Sequence, residues 1–193
     1  MLKVLRKEKG FTLTEIISVL GLTLLVTMLI YNIFLISQES FGVGDRHLEI
    51  SQNGRVFLDR LSRELRQTQE IVTSLPETKD VEGFPPAEEL EFQDGHNISD
   101  IQYIRYYQDN GQIKRQEKYY YFFSEPDTHV YWNSEDELGG NPESLVTEER
   151  PIAEYINGLN FYGSSITYID VRLAKQDSLL HIFTGVWGRN TRL

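Results

Sequence analysis

The apolar residues of the chain are concentrated near its start. Residues 16–36 contain no charged side chain, and the apolar run covers 11–36 with Glu15 as its one charged member. About 20 apolar residues suffice to cross a bilayer as an α-helix, and such a helix tolerates interspersed Thr, Ser, Asn and Gly because it satisfies its own backbone hydrogen bonds. The pattern therefore predicts a transmembrane helix over 11–36.

Residues 37–72 are polar but keep a helical period. Their apolar positions share one face, from Val56 or Phe57 through Leu58, Leu61 and Leu65. No proline occurs before Pro76, so the pattern predicts that the helix continues from the membrane over 37–72. Three glycines mark the positions at which it can bend: Gly42, Gly44 and Gly54. About 60 helical residues at ~1.5 Å each would extend about 90 Å.

From about residue 75 the pattern changes to short runs typical of strands. Predicted strands at 101–107 and 113–123 flank Asp109-Asn110-Gly111, and Asn-Gly favours a type I′ hairpin turn. Three more strands are predicted, at 155–162, 165–174 and 178–187. Acidic stretches at 77–100 and about 124–150 are predicted to be loops.

The last predicted strand alternates two apolar sets, which indicates a sheet with both faces at least partly covered. One of these faces is expected to pack on the C-terminal half of the helix. The predicted fold class is therefore α+β: a long N-terminal helix, membrane-spanning in its first half, packed on an antiparallel β-sheet domain over 73–193.

Charge is also distributed unevenly. Residues 1–10 carry Lys3, Arg6, Lys7 and Lys9 against Glu8, a net charge of +3, so their removal takes the whole chain from −10 to −13. An acidic domain argues against nucleic-acid binding, which needs a positive surface. The basic start predicts that the N-terminus stays cytoplasmic while the rest crosses. The chain has no cysteine, so no disulfide supports the fold.

A short motif joins the basic start to the apolar run: Lys9-Gly10-Phe11-Thr12-Leu13-Thr14-Glu15. It resembles the processing site of type IV prepilins and pseudopilins, in which a basic leader ends in Gly and Glu follows at mature position five. The resemblance implies cleavage between Gly10 and Phe11 by a prepilin peptidase, N-methylation of Phe11, and residues 1–10 as the leader.

Glu15 needs a partner, because a carboxylate inside a bilayer is costly. Cleavage creates an amine at Phe11, which lies about 6 Å from Glu15 along a helix axis at ~1.5 Å per residue. We expect Glu15 to act in assembly by pairing with such an amine, either its own or that of an adjacent subunit. The alternative is that Glu15 reaches the lipid headgroups.

Two other interpretations of residues 1–36 compete with this one. A signal peptide has an apolar core of about 7–15 residues and an A-x-A-like cleavage site, and both are absent from this sequence. A plain membrane anchor with an incidental Glu15 remains the alternative.

A second resemblance covers residues 52–67, which look like the helix of J-type minor pseudopilins of type II secretion and of W-type minor pilins. Residues 101–115, 156–162 and 186–190 also resemble later parts of that family. Asn32 stands where many major pilins carry proline, which favours a minor subunit. A K-type minor subunit usually lacks the acid kept here as Glu15.

No catalytic or metal site is predicted, and no cofactor. The histidines have no ligand spacing between them: His47, His96, His129 and His181. Residues 94–97 and 135–137 offer oxygen ligands for calcium but follow no EF-hand pattern, so solvated loops are expected. The aromatic run 119–123 is expected to place alternate members in the core, with the others under a loop. Arg60, Arg63 and Arg66 are expected on a solvated helix face.

The sequence thus predicts a structural subunit rather than an enzyme. Its expected partners are the prepilin peptidase, other minor and major pilin-like subunits, and the inner membrane through residues 11–36. It would serve a type IV pilus, competence or type II secretion filament, at or near the tip. The alternative is a bitopic membrane protein whose extracytoplasmic β domain binds a ligand or senses a signal.

Overall fold

The computed structural model describes residues 10–96 and 100–188. Its elements are one helix and eight strands, in the order α1 (Leu13–Gln67), β1 (Glu89–Gln93), β2 (Tyr103–Asp109), β3 (Gln112–Phe122), β4 (Glu125–Val130), β5 (Glu143–Ala153), β6 (Ile156–Tyr162), β7 (Ile166–Lys175) and β8 (Ser178–Trp187). The predicted α+β class is confirmed. The chain forms two compact units, of which the first ends at Asp45 and the second begins at Arg46.

In the first unit, α1 exposes apolar side chains all around its axis, and none of its most apolar 18-residue window is buried. Hydroxyls within it donate to the backbone one turn earlier, each at 2.8 Å: Ser18 to Thr14, Thr23 to Val19 and Thr27 to Thr23. These polar side chains are therefore satisfied within the helix. By length and composition the helix can cross a membrane.

In the second unit, α1 continues with a single buried stripe at helical spacing: Ile50, Gly54, Phe57, Leu61 and Leu65. The stripe packs against inward side chains of both sheets, among them Tyr106, Phe161 and Val171. Val56 is exposed, so the stripe runs through Phe57. The three glycines at which α1 could bend all lie within the continuous helix.

Two antiparallel sheets complete the second unit. In the first, β3 pairs with β2 along one edge and with β5 along the other, while β1 pairs with β2 and β4 with the end of β3. The second sheet has the order β6-β7-β8. The predicted hairpin is confirmed: the turn between β2 and β3 consists of Asn110 and Gly111, with φ of 49° and 75°.

The structure corrects three expectations. The predicted loop at 124–150 contains β4 and most of β5, and the acidic stretch at 77–100 contains β1. The outer face of β8 is not covered in the described residues, because the helix packs on the opposite face of the sheet. No member of the aromatic run 119–123 reaches full burial: four are half-buried and Phe123 is exposed.

Candidate functional site: the processing junction and the start of the helix

The predicted cleavage junction lies in non-helical backbone immediately before α1. Gly10 and Phe11 are both exposed, while residues 1–9 of the predicted leader lie outside the described residues. A Cβ built on Gly10 would meet nothing within 4 Å. Neighbouring atoms therefore leave room for a side chain at this position, and packing does not explain why glycine precedes Phe11.

Thr12 and Glu15 form a capping box at the start of α1. The backbone N–H of Thr12 donates to Glu15 Oε2 at 2.9 Å, and the Thr12 hydroxyl donates to the same oxygen at 2.9 Å. In return, the backbone N–H of Glu15 donates to Thr12 Oγ1 at 3.3 Å. Thr at the cap and Glu three residues later satisfy each other's backbone donors, which would otherwise lack partners at a helix start.

The capping box gives Glu15 a role that the sequence argument did not consider. The S/T-x-x-E pattern at 12–15 is a sequence signal for it. Both hydrogen bonds that the carboxylate accepts from the described part of the chain use Oε2, which leaves Oε1 for a donor from another group. The capping box and an ion pair with an amine are therefore compatible. Phe11 and Glu15 lie close together in the chain, as required for either form of the pairing.

A charged cluster inside the second unit was missed by sequence reasoning. Glu64 of α1 accepts from Arg60 Nε at 3.2 Å, from Arg115 Nε at 3.1 Å and from the Tyr106 hydroxyl at 2.7 Å. Arg115 also pairs with Glu117. Burial raises the pKa of Tyr106 far above its ordinary value and the Glu64 charge adds to this, so the hydroxyl stays a donor.

This cluster corrects the interpretation of the arginine series. Arg63 and Arg66 are exposed, but Arg60 is half-buried against Glu64. Glu64 lies 51 residues before Arg115, and no periodicity along the chain announces such a pair. Its place between α1 and β3 indicates a role in holding the sheet on the helix.

Three of the histidines lie beside aspartates. His96 Nδ1 is 3.0 Å from Asp94, His181 Nε2 is 2.8 Å from Asp170, and His129 contacts Asp100. Within the described residues, no three His, Asp or Glu side chains are grouped so that they could hold a metal ion. Asn97 of the candidate calcium loop 94–97 lies outside those residues.

The second candidate calcium loop uses its central carboxylate locally. Asp136 Oδ1 accepts the backbone N–H of Leu138 at 2.9 Å and that of Gly140 at 2.6 Å. These bonds fold the loop back on itself, as aspartate side chains commonly do in turns.

Comparisons with protein families, with curated proteins and with solved structures find no match to this chain. The structure itself shows one long apolar helix near the N-terminus and an antiparallel β domain. This is the general architecture of a bitopic membrane protein, and it is compatible with a pilin-like subunit.

Proposed function

We propose that the chain is a minor pilin-like subunit. A prepilin peptidase removes residues 1–10 and methylates the new amine of Phe11, and residues 11–36 stay in the inner membrane with the β domain outside the cytoplasm. The subunit assembles at or near the tip of a type IV pilus, competence or type II secretion filament. One observation carries the proposal: the Gly10-Phe11 junction directly precedes the capped start of an apolar helix with Glu15 at mature position five.

The local structure of the junction supports processing there. A protease binds its substrate most readily where the backbone is accessible and free of regular structure, and Gly10 and Phe11 satisfy both conditions. Thr12 and Glu15 complete the helix start without any contribution from Gly10 or Phe11. Cleavage after Gly10 therefore leaves the capping box intact in the mature chain.

The distribution of acidic residues supports a low copy number. Residues 77–100 carry 8 acids against one base, and residues 125–154 carry 9 against one. Identical copies stacked together bring like charges into proximity, which costs energy even with screening over about 8 Å at physiological salt. Differently charged neighbours avoid this cost, so the proposed partners are other minor subunits.

Mass spectrometry of assembled filaments tests the proposal. We expect a mature N-terminus at methylated Phe11 and a minor share of this chain among the subunits. Gly10→Val and Gly10→Arg should leave the precursor uncut in the membrane, while Gly21→Ala, at a membrane-helix glycine with open space around it, should be processed normally. Filaments that contain intact residues 1–10, or in which this chain dominates, would contradict the proposal. An uncut chain in every cell fraction would favour a bitopic receptor or sensor instead.

A further inference from the structure

Within the described residues, three strands of the second unit pair with one neighbour only and so have a free edge. Strands β4 and β5 each pair with β3 alone, and β8 pairs with β7 alone. Strand β4 has only 6 residues and carries Glu125, Pro126 and Asp127, which oppose the addition of a further strand. The outer edges of the other end strands are bridged: β1 through Phe92 to Ile71, and β6 through Phe161 to Ala87. A free edge presents unpaired backbone N–H and C=O groups, on which a further strand can form hydrogen bonds.

The edge of β5 is protected against such pairing. The strand carries Glu143, Glu148, Glu149 and Arg150 on exposed or half-exposed positions, and Pro151 removes one backbone donor. Its register with β3 is interrupted twice. Charges, proline and irregularities are the features by which natural sheets prevent the addition of a strand.

The edge of β8 has none of these protections. From Ser178 to Trp187 the sequence contains no Asp, Glu, Lys, Arg or Pro. Its register with β7 continues without interruption over ten residue pairs. The contrast with β5 is chemical rather than a matter of length, because the two strands have 10 and 11 residues. An uncharged, regular edge of this length is a template for another strand.

An exposed apolar row follows this edge on the outer face of the sheet. Leu179, Phe183 and Trp187 recur at every fourth residue and are 72%, 55% and 67% exposed. Phe183 stacks on Tyr168, with ring centroids 5.6 Å apart, and Tyr168 stacks on Tyr162 at 5.4 Å. The row is thus continuous with an aromatic surface that crosses all three strands.

We propose that the free edge of β8 accepts an extended strand from a different membrane-anchored subunit. The strand would bind through main-chain hydrogen bonds and would place apolar side chains, at alternate positions, beside Leu179, Phe183 and Trp187. This inference rests on the proposed function, which supplies neighbours anchored in the same membrane. It goes beyond the proposed function by assigning the contact between subunits to strand β8 of this chain and to an extended segment of its neighbour.

A second copy of this chain does not fit the site. Antiparallel pairing of β8 with its own copy requires a two-fold axis perpendicular to the sheet. Helix residues 46–67 pack on the sheet face, so that axis would reverse the direction of this segment in the copy. Subunits of the proposed filament instead follow one another in a single direction, which a two-fold axis does not allow. Parallel pairing requires a two-fold axis along the strands, which turns the sheet of the copy over. The apolar row then lies beside the face of the copy that carries the helix, so the apolar row of the copy does not cover it.

Site-specific photocrosslinking tests this proposal in cells that express the full chain at native level. The chain has no cysteine, so a benzophenone label attached at Phe183→Cys reacts from β8 alone. Leu145→Cys on the protected edge of β5 is the matched control, since Leu145 is also an exposed apolar residue of an edge strand. We expect adducts from position 183 to a distinct subunit that carries its own prepilin leader, at about tenfold or more above position 145.

A charge on the same edge provides the second arm. Phe183→Lys should lower incorporation into the filament about tenfold, whereas Leu145→Lys should not, because an unpaired charge opposes strand addition. Thermal unfolding of each purified variant in detergent shows whether it folds, and Leu179→Lys replaces Phe183→Lys if the latter does not.

The outcomes separate this inference from the proposed function. If the mature N-terminus is Phe11, any of three results would overturn strand addition and leave the subunit role unaffected. These results are equal labelling from positions 183 and 145, adducts only to a second copy of this chain, or unimpaired assembly of Phe183→Lys. Retention of the leader in all cell fractions would overturn the subunit role and, with it, the proposed occupant of β8.

Discussion

Glu15 and Glu64 lie on the same helix, but their carboxylates are satisfied in different ways. Glu15 lies in the part of α1 that exposes apolar side chains all around, and among the described residues it accepts hydrogen bonds only from its own capping residue Thr12. Glu64, in the part that packs on the sheets, is held by Arg60, Arg115 and Tyr106. The charge of Glu64 is therefore neutralised within one chain, whereas the charge of Glu15 has no cationic partner among the described residues.

The difference indicates which carboxylate depends on other molecules. Removing one partner of an ion pair completed within the fold destabilises that fold, because the other charge is left buried and unpaired. Among the described residues Glu15 holds only backbone and hydroxyl donors, so under the proposed function its carboxylate is available to pair with a group of a neighbouring subunit. Substitutions at the two glutamates should thus affect different properties, assembly at Glu15 and folding at Glu64.

The largest effect is expected at Glu15. Glu15→Gln keeps the capping box, since glutamine can replace glutamate in it, but removes the charge; Glu15→Ala removes both. We expect both variants to be cleaved and inserted but to be lost from the filament by about a hundredfold, because the amine of the proposed pair would then be left without its carboxylate in the membrane. Crosslinking to partner subunits measures the loss.

Thr12→Ala is the matched control for that experiment. It removes the hydroxyl of the capping box and keeps the Glu15 charge, so assembly should persist with a small loss of helix stability, about 1 kcal/mol. Normal assembly of Glu15→Gln together with failure of Glu15→Ala would show that Glu15 serves as a cap and not as an ion-pair partner.

The next effect in size is expected at Glu64. Glu64→Gln leaves Arg115, whose side chain is 5% exposed, with Glu117 as its remaining carboxylate. We expect a loss of about 3 kcal/mol in unfolding free energy, or a fall in melting temperature of roughly 6–12 °C for a domain of this size. Thermal unfolding of the full chain in detergent measures it.

Asp59→Asn provides the control for Glu64 on the same helix. The Asp59–Arg63 pair measures 2.9 Å, but both side chains are about 70% exposed, so its removal should cost at most about 0.5 kcal/mol. Equal melting temperatures for the two variants would mean that the Glu64 cluster does not hold the sheet on the helix.

The sequence was sufficient to predict those elements whose pattern is local. The uncharged run from Ile16 defined the apolar part of α1, and Asn110-Gly111 defined a turn because each adopts positive φ. Buried β7 and the half-buried inner positions of β8 kept enough apolar alternation to be recognised as strands.

The elements that were missed have little apolar alternation. Strands β4 and β5 are almost fully exposed, so their composition matches that of acidic loops and only pairing with β3 reveals them. The Glu64–Arg115 pair depends on a contact across 51 residues. The outer face of β8 was expected to be at least partly covered because Phe183 and Trp187 on it are apolar. Sequence alone does not separate a core face from a contact surface.

Gly54 and Gly44 of α1 differ in the space around them, which gives a comparison of side-chain packing in the two parts of the helix. A Cβ on Gly54 would lie 2.5 Å from Ile182 Cδ1 and 3.5 Å from Leu173 Cδ1, whereas one on Gly44 would meet nothing within 4 Å. Gly54→Val should therefore cost about 2 kcal/mol through overpacking, and Gly44→Val should be neutral or slightly stabilising. Melting temperatures in detergent test this.

A double substitution identifies the cause of the Gly54 effect. If overpacking against Ile182 is responsible, Ile182→Ala should recover part of the loss in the Gly54→Val background, so that the two changes are not additive. Additive losses would place the cost of Gly54→Val elsewhere in the helix.

The smallest effect is expected at Asp170, a third carboxylate that resembles Glu64 in being buried but lies on the outer face of the second sheet. Asp170 is only 3% exposed at its side chain; it binds Lys79 Nζ at 2.6 Å and His181 Nε2 at 2.8 Å, with Arg172 Nε at 4.0 Å. Burial acts to raise the pKa of Asp170, but Lys79 and His181 outweigh it, so the pKa lies below its ordinary value. A depressed folded-state pKa contributes stability that is present above the ordinary aspartate pKa of about 3.9 and is lost as the pH falls below it.

Lys79→Met should destabilise the domain by roughly 1 kcal/mol at pH 7, a small value because the Lys79 side chain is partly exposed. That deficit should shrink as the pH falls below the ordinary aspartate pKa toward the lower pKa of folded Asp170, because the wild-type carboxylate then loses its charge as well and Lys79 has no charge to pair with. Lys79→Arg, which keeps the charge, should follow the wild type at every pH. Melting temperatures of the three proteins at pH 7, 5 and 3.5 provide the comparison, and a deficit of constant size across that range would show that Lys79 stabilises the domain through packing of its aliphatic stem rather than through its charge.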